Sequence, residues 1–336
     1  MALKLLRIAV PATAAAVLLS ACSSGGSGAK AATAPVAAGS TVVHVGALAD
    51  GAGTATDITV AQQDAIRAEL PAAIRDGGVL KIAIGALPAG SAPLAFIGSD
   101  QKTLTGSEPD LARLVAGVLG LKPSFDNATW DNMFVGIDSG KDAVGFSNIT
   151  DTEKRKEKYD FASYRQDNLG FETLKSSDWT FSGDYHALAG KTVGVGSGTN
   201  QEKILLEWQT KLRAEGKDLT VKYYPDSSAY LLALTSGKID IYLGPNPGAA
   251  YQVTQTAKSP TPTRIAGEYS GAGATLQGLI AATSKKDSGL AKPVADAINY
   301  LIGNGDYAKW LAAWNLSNEA VTTSSVNPPG LPVTNS

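Results

Sequence analysis

The sequence predicts an α/β protein built as two lobes in series. From residue 78 onward short apolar strands alternate with amphipathic helices, and that alternation restarts at Lys191 after a polar stretch. With 336 residues, 44% of them hydrophobic, the chain has enough apolar material for two cores.

Residues 59–77 read as a leading helix, with Ala61, Ala65, Ile66, Leu70 and Ile74 near helical spacing and Pro71 disfavouring helix at Leu70. Asp76-Gly77-Gly78 ends it, and Val79 to Gly85 alternates as a buried strand. Glu108 to Leu119 is a helix carrying Leu111, Leu114, Val115 and Val118 on one face. Ser124 to Asn127 is a strand, Trp130 to Asp138 a helix and Ala143 to Phe146 a strand, and Thr152 to Tyr159 is a charged surface segment. This order implies a mostly parallel sheet covered by helices.

In the second series Lys191 to Gly196 is a strand, Ser197-Gly198-Thr199-Asn200 a tight turn, and Gln201 to Ala214 a helix facing inward through Ile204, Leu205, Trp208 and Leu212. Leu219 to Tyr224, a helix from Ser227 to Ser236, and Ile239 to Leu243 complete that lobe. Leu276 to Ala282 is the last strand, followed by helical patterns at Leu290 to Ile302 and Tyr307 to Trp314 and a loose polar tail over 321–336.

The N-terminus has a different character. Lys4 and Arg7 precede an apolar run from Ile8 to Leu19, broken by Pro11 and Thr13, which has the length of a secretory leader and is too short to span a bilayer. The single cysteine, Cys22, ends Leu19-Ser20-Ala21-Cys22, a stretch that resembles the lipobox of bacterial lipoproteins. That resemblance implies removal of residues 1–21 and a lipid anchor on Cys22, holding the protein at the outer face of the cell membrane. The alternative is an ordinary secreted protein whose cysteine falls at the cleavage site. Residues 22–58, opening with Ser23-Ser24-Gly25-Gly26, read as a flexible tether.

Composition excludes several classes. A net charge of -2 argues against nucleic acid as a partner. His44 and His186 have no metal-ligand spacing to each other or to Cys22, so no metal site, cofactor or Ser-His-Asp triad is expected. Neither a G-x-S-x-G elbow nor a Walker A loop occurs.

Several segments together resemble the bacterial solute-binding proteins that deliver amino acids and related polar solutes to ABC importers, over residues 78–318. Ala92-Pro93-Leu94-Ala95-Phe96 is similar to that family's Pro-Pro-Phe-x-Phe wall segment, and Gly106-Ser107-Glu108-Pro109-Asp110-Leu111-Ala112 to its Gly-Phe-Asp-x-Asp-Leu-Ala helix start. Thr129-Trp130 to Phe134 occupies the place of its Trp-containing second helix. Phe146-Ser147-Asn148-Ile149-Thr150, Arg155 and Asp160-Phe161-Ala162 resemble its Ser-Ile-Thr-x-x-Arg and Asp-Phe-Ser stretches. Val195 to Asn200 resembles its Gly-x-Gly-Thr-Thr turn, Gly237-Lys238-Ile239-Asp240 its Gly-Lys-x-Asp, and Gly305-Asp306-Tyr307 with Trp314 its closing Gly-x-Tyr segment and Trp.

The resemblance implies a periplasmic-binding-protein-like fold of type II, with lobe 1 at 78–173 plus 281–320, lobe 2 at 176–277, and two crossing strands near Asn168 to Lys175 and Gln277 to Thr283. It implies a monomer that closes on its ligand in the interlobe cleft and hands it to an ABC permease. The expected ligand is an amino acid or a related small polar carboxylate.

Candidate ligand-binding residues follow from the chemistry of such a guest. Arg155 offers a planar fork for a carboxylate, beyond the Asn148 to Thr150 turn; the alternative is a solvated member of the run Lys154-Arg155-Lys156. Ser197, Gly198, Thr199 and Asn200 open a helix whose free N–H groups favour an anion, or simply cap it. Phe96 and Trp130 are either stacking walls or core, and Glu108 either reaches the cleft or complements a helix dipole. Family members that bind α-amino acids usually carry an acid for the ammonium where Pro245 or Asn246 stands here, and Ser107 replaces the family's Phe. Either Glu108 substitutes or the ligand is not an ordinary zwitterion. The competing readings are a dehydratase-type enzyme on the same scaffold and a sensory ligand-binding module.

Overall fold

A computed structural model describes residues 39–334, so the leader, Cys22 and the first part of the expected tether lie outside the described residues. The rest of that stretch is folded. Strands β1 (Ser40–Val45) and β2 (Thr56–Ala61) form an antiparallel hairpin with Val43 opposite Ile58. Val43, Val45, Ile58 and Val60 point inward and are buried. Alternating β-branched residues therefore outweigh the Gly, Ala and Thr content from which a tether was expected.

The expected leading helix is also different. Thr59 and Ala61 belong to β2, and the remainder is two short helices, α1 (Asp64–Ala68) and α2 (Ala72–Gly77), divided at Leu70-Pro71. Proline disfavours helical backbone at the residue before it, and Leu70 fills the break as a buried side chain.

Lobe 1 is organised around β3 (Val79–Leu87), with the small ribbon β4 (Phe96–Ile97) and β5 (Leu104–Thr105) at its edge. Helix α3 (Ser107–Val118), strand β6 (Lys122–Thr129), helix α4 (Trp130–Ser139) and strand β7 (Val144–Gly145) follow. Strand β3 pairs in parallel with β6 and β7. Thr129 caps α4 by accepting the Asn132 N–H at 3.4 Å, and Gly140 ends it at φ 76°.

Strand β8 (Tyr159–Leu174) runs through both lobes. Beyond it come β9 (Thr192–Val195), α5 (Asn200–Ala214), β10 (Thr220–Tyr223), α6 (Ser227–Thr235), β11 (Ile241–Pro245), α7 (Asn246–Thr256) and β12 (Thr263–Ser270), which make lobe 2. Strand β13 (Gly278–Lys285) and helices α8 (Ala291–Asn304) and α9 (Asp306–Ala313) return to lobe 1. Helix α7 and strand β12 were not anticipated, because Gly, Thr and polar residues hide their periodicity.

The sheet order β10-β9-β11-β8-β13-β7-β3-β6, with β12 also on β8, explains the hinge. Up to Asp167, β8 pairs antiparallel with β13; from Asn168 it pairs antiparallel with β11 and β12. The second crossing runs from Ser270 at the end of β12 to Gly278 at the start of β13. Parallel pairing joins β10, β9 and β11 in lobe 2 and β6, β3 and β7 in lobe 1, and the strands at the hinge pair antiparallel.

One core gathers α3, α8 and α9 on the lobe 1 sheet around Trp310 and Trp314, and the hairpin closes it from outside. The other holds Phe171, Phe181 and Trp208, with Phe171 and Phe181 stacked at 4.2 Å. The expected loose tail is docked. Ser163 N–H donates to Ser325 O, Asn327 N–H to Phe161 O and Leu331 N–H to Asp151 O, and the Leu331 side chain is buried. These bonds satisfy the free edges of β8 and the 151–153 loop, which composition alone does not reveal.

Ile58→Ala should destabilise the protein by about 2–5 kcal/mol in urea unfolding, as a core truncation does; an unchanged midpoint would mean that the hairpin is not part of the fold. A second expectation concerns Glu172 on β8, whose buried carboxyl accepts from Tyr230 and is pushed up to about 7 by desolvation. Because the folded value exceeds the usual 4.5, this group's contribution is fully present below pH 4.5 and is lost as pH rises through 7. Glu172→Gln should match the parent near pH 4 and exceed it near pH 8 by up to about 3 kcal/mol, a difference that must vanish on acidification if burial is the cause.

Candidate ligand-binding site

Between the lobes lies a cavity of about 460 Å³. Lobe 1 lines it with the end of β3, the loop before β4, the start of α3 and α4, and the Ser147-Asn148 turn. Lobe 2 contributes the turn before α5, the Tyr223 to Ser227 segment and Pro245. The strand-to-helix turns of both halves thus converge, as expected where parallel strands end.

Glu108, Asn148, Trp130, Ser197, Thr199 and Asn200 all line the cavity. Glu108 sits in the first turn of α3, and its oxygens are fully engaged. Oε1 accepts from Arg165 Nη2 at 3.0 Å, while Oε2 accepts the Asn148 N–H at 3.0 Å and the Tyr164 hydroxyl. Asn148 adopts φ 52°, the left-handed conformation that Asn tolerates, and its Oδ1 accepts from Arg165 Nη2 at 2.5 Å.

Arg165 escaped the sequence reading. It stands in β8 between Tyr164 and Gln166, is 1% exposed, and also donates from Nη1 to Glu319. A guanidinium between two buried carboxylates is ionised; the pair holds its pKa well above the ordinary arginine value. Its local sequence, Ser163-Tyr164-Arg165-Gln166-Asp167-Asn168, is polar and carried no sign of burial.

Thr199 caps α5, accepting the Glu202 N–H at 3.2 Å and donating its hydroxyl to Gly196 O at 2.7 Å. The Glu202 carboxylate in turn accepts the Gly198 N–H at 2.6 Å. Asn200 donates Nδ2 to Asp167 Oδ2 at 2.9 Å and to Gly271 O at 3.0 Å. The same Asp167 oxygen takes the Thr150 hydroxyl at 2.7 Å, so this buried carboxylate at the crossover of β8 joins the lobes. Burial raises its pKa against the pull of Thr150, Arg165 and Asn200.

The remaining candidates stand outside the cavity lining. Phe96 packs edge-on to Trp314, with ring centroids 6.2 Å apart. Thr150 is committed to Asp167, and Asn246 opens α7 with Nδ2 donating to Glu268 at 3.1 Å. Arg155, expected to clamp a carboxylate, instead donates Nη1 to Thr150 O at 2.9 Å and Nη2 to Gly198 O at 3.2 Å. Its guanidinium lies 5.5 Å from the rings of both Trp130 and Phe134. Burial brings its pKa down to about 10, which leaves it charged at neutral pH.

Gly198 O receives a second bond, from Trp130 Nε1 at 3.3 Å. One lobe 2 carbonyl therefore meets two lobe 1 donors at the lip of the cleft. Trp130 is both a wall of the cavity and part of this closure, its ring held edge-on by Phe134 at 5.1 Å.

Lobe 2 adds residues that sequence reasoning overlooked. Tyr223, Tyr224, Tyr230 and Tyr242 line the cavity, Tyr230 and Tyr242 stacking face to face at 3.5 Å. Asp226, the cap of α6, and Asp131 in the first turn of α4 line it too. The Tyr223-Tyr224-Pro225-Asp226 run directly after a strand was the available sign, since strand-to-helix loops in this architecture face the cleft.

Comparison with known proteins agrees with this architecture. Residues 82–317 match the bacterial extracellular solute-binding proteins, family 3. The L-cystine-binding protein TcyJ of Escherichia coli is 30% identical over 246 residues, covering 71% of this chain and 85% of that one. The arginine-binding protein ArgT of Corynebacterium glutamicum is 27% identical, covering 78% and 82%. Among solved structures, the amino acid ABC transporter substrate-binding protein AbpA of Streptococcus pneumoniae bound to L-arginine superposes with a TM-score of 0.60 at 25% identity, covering 74% of this chain and all of that one. An ancestral amino acid-binding protein described as a precursor of cyclohexadienyl dehydratase shares the fold, at 24% identity and a TM-score of 0.58. The cleft, the strand that both lobes share and these matches lead to one assignment: the chain belongs to the bacterial extracellular solute-binding proteins of family 3.

Proposed function

We propose that this protein captures a small polar solute of the amino-acid class in the interlobe cleft and presents it to an ABC permease, anchored at the membrane through lipid on Cys22. The observation that carries the reading is a cavity walled by both lobes whose lip is closed by Arg155 and Trp130 on Gly198 O. A solute touching both walls binds the closed form better than the open one, and that difference drives closure.

Its relatives are named as binding proteins, and the chemistry favours binding over turnover. Glu108, the carboxylate best placed for acid–base work, already accepts from Arg165, Tyr164 and Asn148, and such saturation suits a rigid wall better than a proton shuttle. Release of the leader, acylation of Cys22 and docking of the closed protein on a permease complete the proposal.

The test is binding of the body from residue 39 onward to the standard amino acids, followed by calorimetry and small-angle scattering. A cognate solute at 100 times its Kd should add about 2.7 kcal/mol of stability and reduce the radius of gyration. Arg155→Ala should weaken that solute roughly tenfold, mostly through faster release, because it biases the open form without removing a cavity contact. Conversion of the solute to a product, or an unaltered dissociation rate in Arg155→Ala, would refute the reading of the cleft as a latched binding site.

A further inference from the structure

The stretch 320–334 lies beyond residues 82–317 that match the family, and it fastens to lobe 1 at two places. The first is the edge of β8, where Ser163 N–H donates to Ser325 O at 3.0 Å, Asn327 N–H to Phe161 O at 3.0 Å, and Phe161 N–H to Asn327 Oδ1 at 2.9 Å. The second is the loop before β8. Leu331 N–H donates to Asp151 O at 3.1 Å and Leu331 O accepts the Glu153 N–H at 3.0 Å, a short parallel bridge beside Thr152. Lys156 binds across the same loop, donating Nζ to Glu153 Oε1 at 2.8 Å and to Pro328 O.

The side chain of Leu331 goes the other way. It is 1% exposed and belongs to the buried cluster of lobe 2, with Leu169 from the lobe 2 half of β8, Ala272, and Leu276 at the margin. Ala272 and Leu276 stand in the second crossing, between β12 and β13. One residue thus has its backbone bound to lobe 1 and its side chain seated in lobe 2, in a cluster that contains residues of both crossings.

The seat is tight, and the segment that enters it is stiff. A Cβ on Gly330 would stand 2.5 Å from Asp151 O and 2.8 Å from Asp151 Oδ1, so only glycine lets the tail lie this close to the loop. Pro328, Pro329 and Pro332 flank the anchor with fixed φ, which reduces the conformational freedom lost when the tail docks.

Rotation of lobe 2 about β8, whose partners change between Asp167 and Asn168, would displace the Leu331 seat from Asp151 and Glu153. Either the side chain then leaves its apolar surroundings or the bonds to the loop stretch, and both are unfavourable. Resting on the reading of the lobes as jaws that open and shut, we propose that residues 325–331 form a strap across the hinge, anchored by Leu331, which holds the protein toward the shut form. It is a second fastening, separate from the one at the lip, and it acts without a guest.

The body from residue 39 contains no cysteine, so spin labels on Val135→Cys of α4 and Leu232→Cys of α6, both exposed, report the distance between the lobes. Pulsed electron resonance without added solute compares the parent with Leu331→Ala, Gly330→Ala and a chain ended at Gly330. Each change should raise the ratio of long to short distances roughly tenfold. Leu331→Met, which keeps apolar bulk, should restore the parent distribution. Gly330→Ala leaves the anchor side chain in place and carries the test if Leu331→Ala fails to fold. Unchanged distances in folded variants, whatever happens to the urea midpoint, would reduce the tail to a stabilising element and overturn the strap. No solute enters this measurement, so its failure leaves the binding reading intact, and failure to find a guest leaves the strap standing.

Discussion

The geometry of the cleft depends on one buried guanidinium. Arg165 projects from β8, the strand both lobes share, and binds Glu108 at the start of α3, the Asn148 turn and Glu319 beyond α9. Each of these charges would be costly if left alone in the core. Together they tie the wall of the cavity, the turn after β7 and the last part of lobe 1 to a single strand. The same strand carries Asp167 two residues on, where the Thr150 and Asn200 contacts repeat the device across the lobe boundary. The crossover is therefore held by buried, fully partnered side chains on both sides of the lobe boundary.

The placement of charge also separates two roles that the sequence alone merges. Buried carboxylates at Glu108 and Asp167 are paired and serve geometry, whereas those at Asp131 and Asp226 sit at helix starts on the cavity surface and set its potential. Low dielectric strengthens the former and a partly wetted cleft moderates the latter, so the two groups respond differently to salt.

Much of the fold was legible before any coordinates. The helices at 107–118, 130–139 and 200–214 carry clear 3.6-residue periods, the last with a readable cap at Thr199, and the two-lobe order follows from the repeated strand–helix alternation. What escaped was set by tertiary pairing. The hairpin looked like tether up to residue 58 and like the start of a helix beyond it because its glycines and alanines dilute a valid alternation, and the docked tail gains its order from hydrogen bonds to β8 that no local pattern encodes. The site was half legible. Helix-start residues such as Asn200 and Trp130 follow from the position of strand ends, but the direction of the Arg155 fork is decided by Gly198 O, which becomes its neighbour only when the lobes meet.

The lip of the cleft has a consequence for the empty protein. Two bonds on one carbonyl, partly open to water, contribute about 0.5–1.5 kcal/mol each, and rotating a lobe away would let solvent replace both. Such a fastening is weak enough to tilt a balance without locking it. A guest that touches both walls does not need to force a spring; it lengthens the time spent shut.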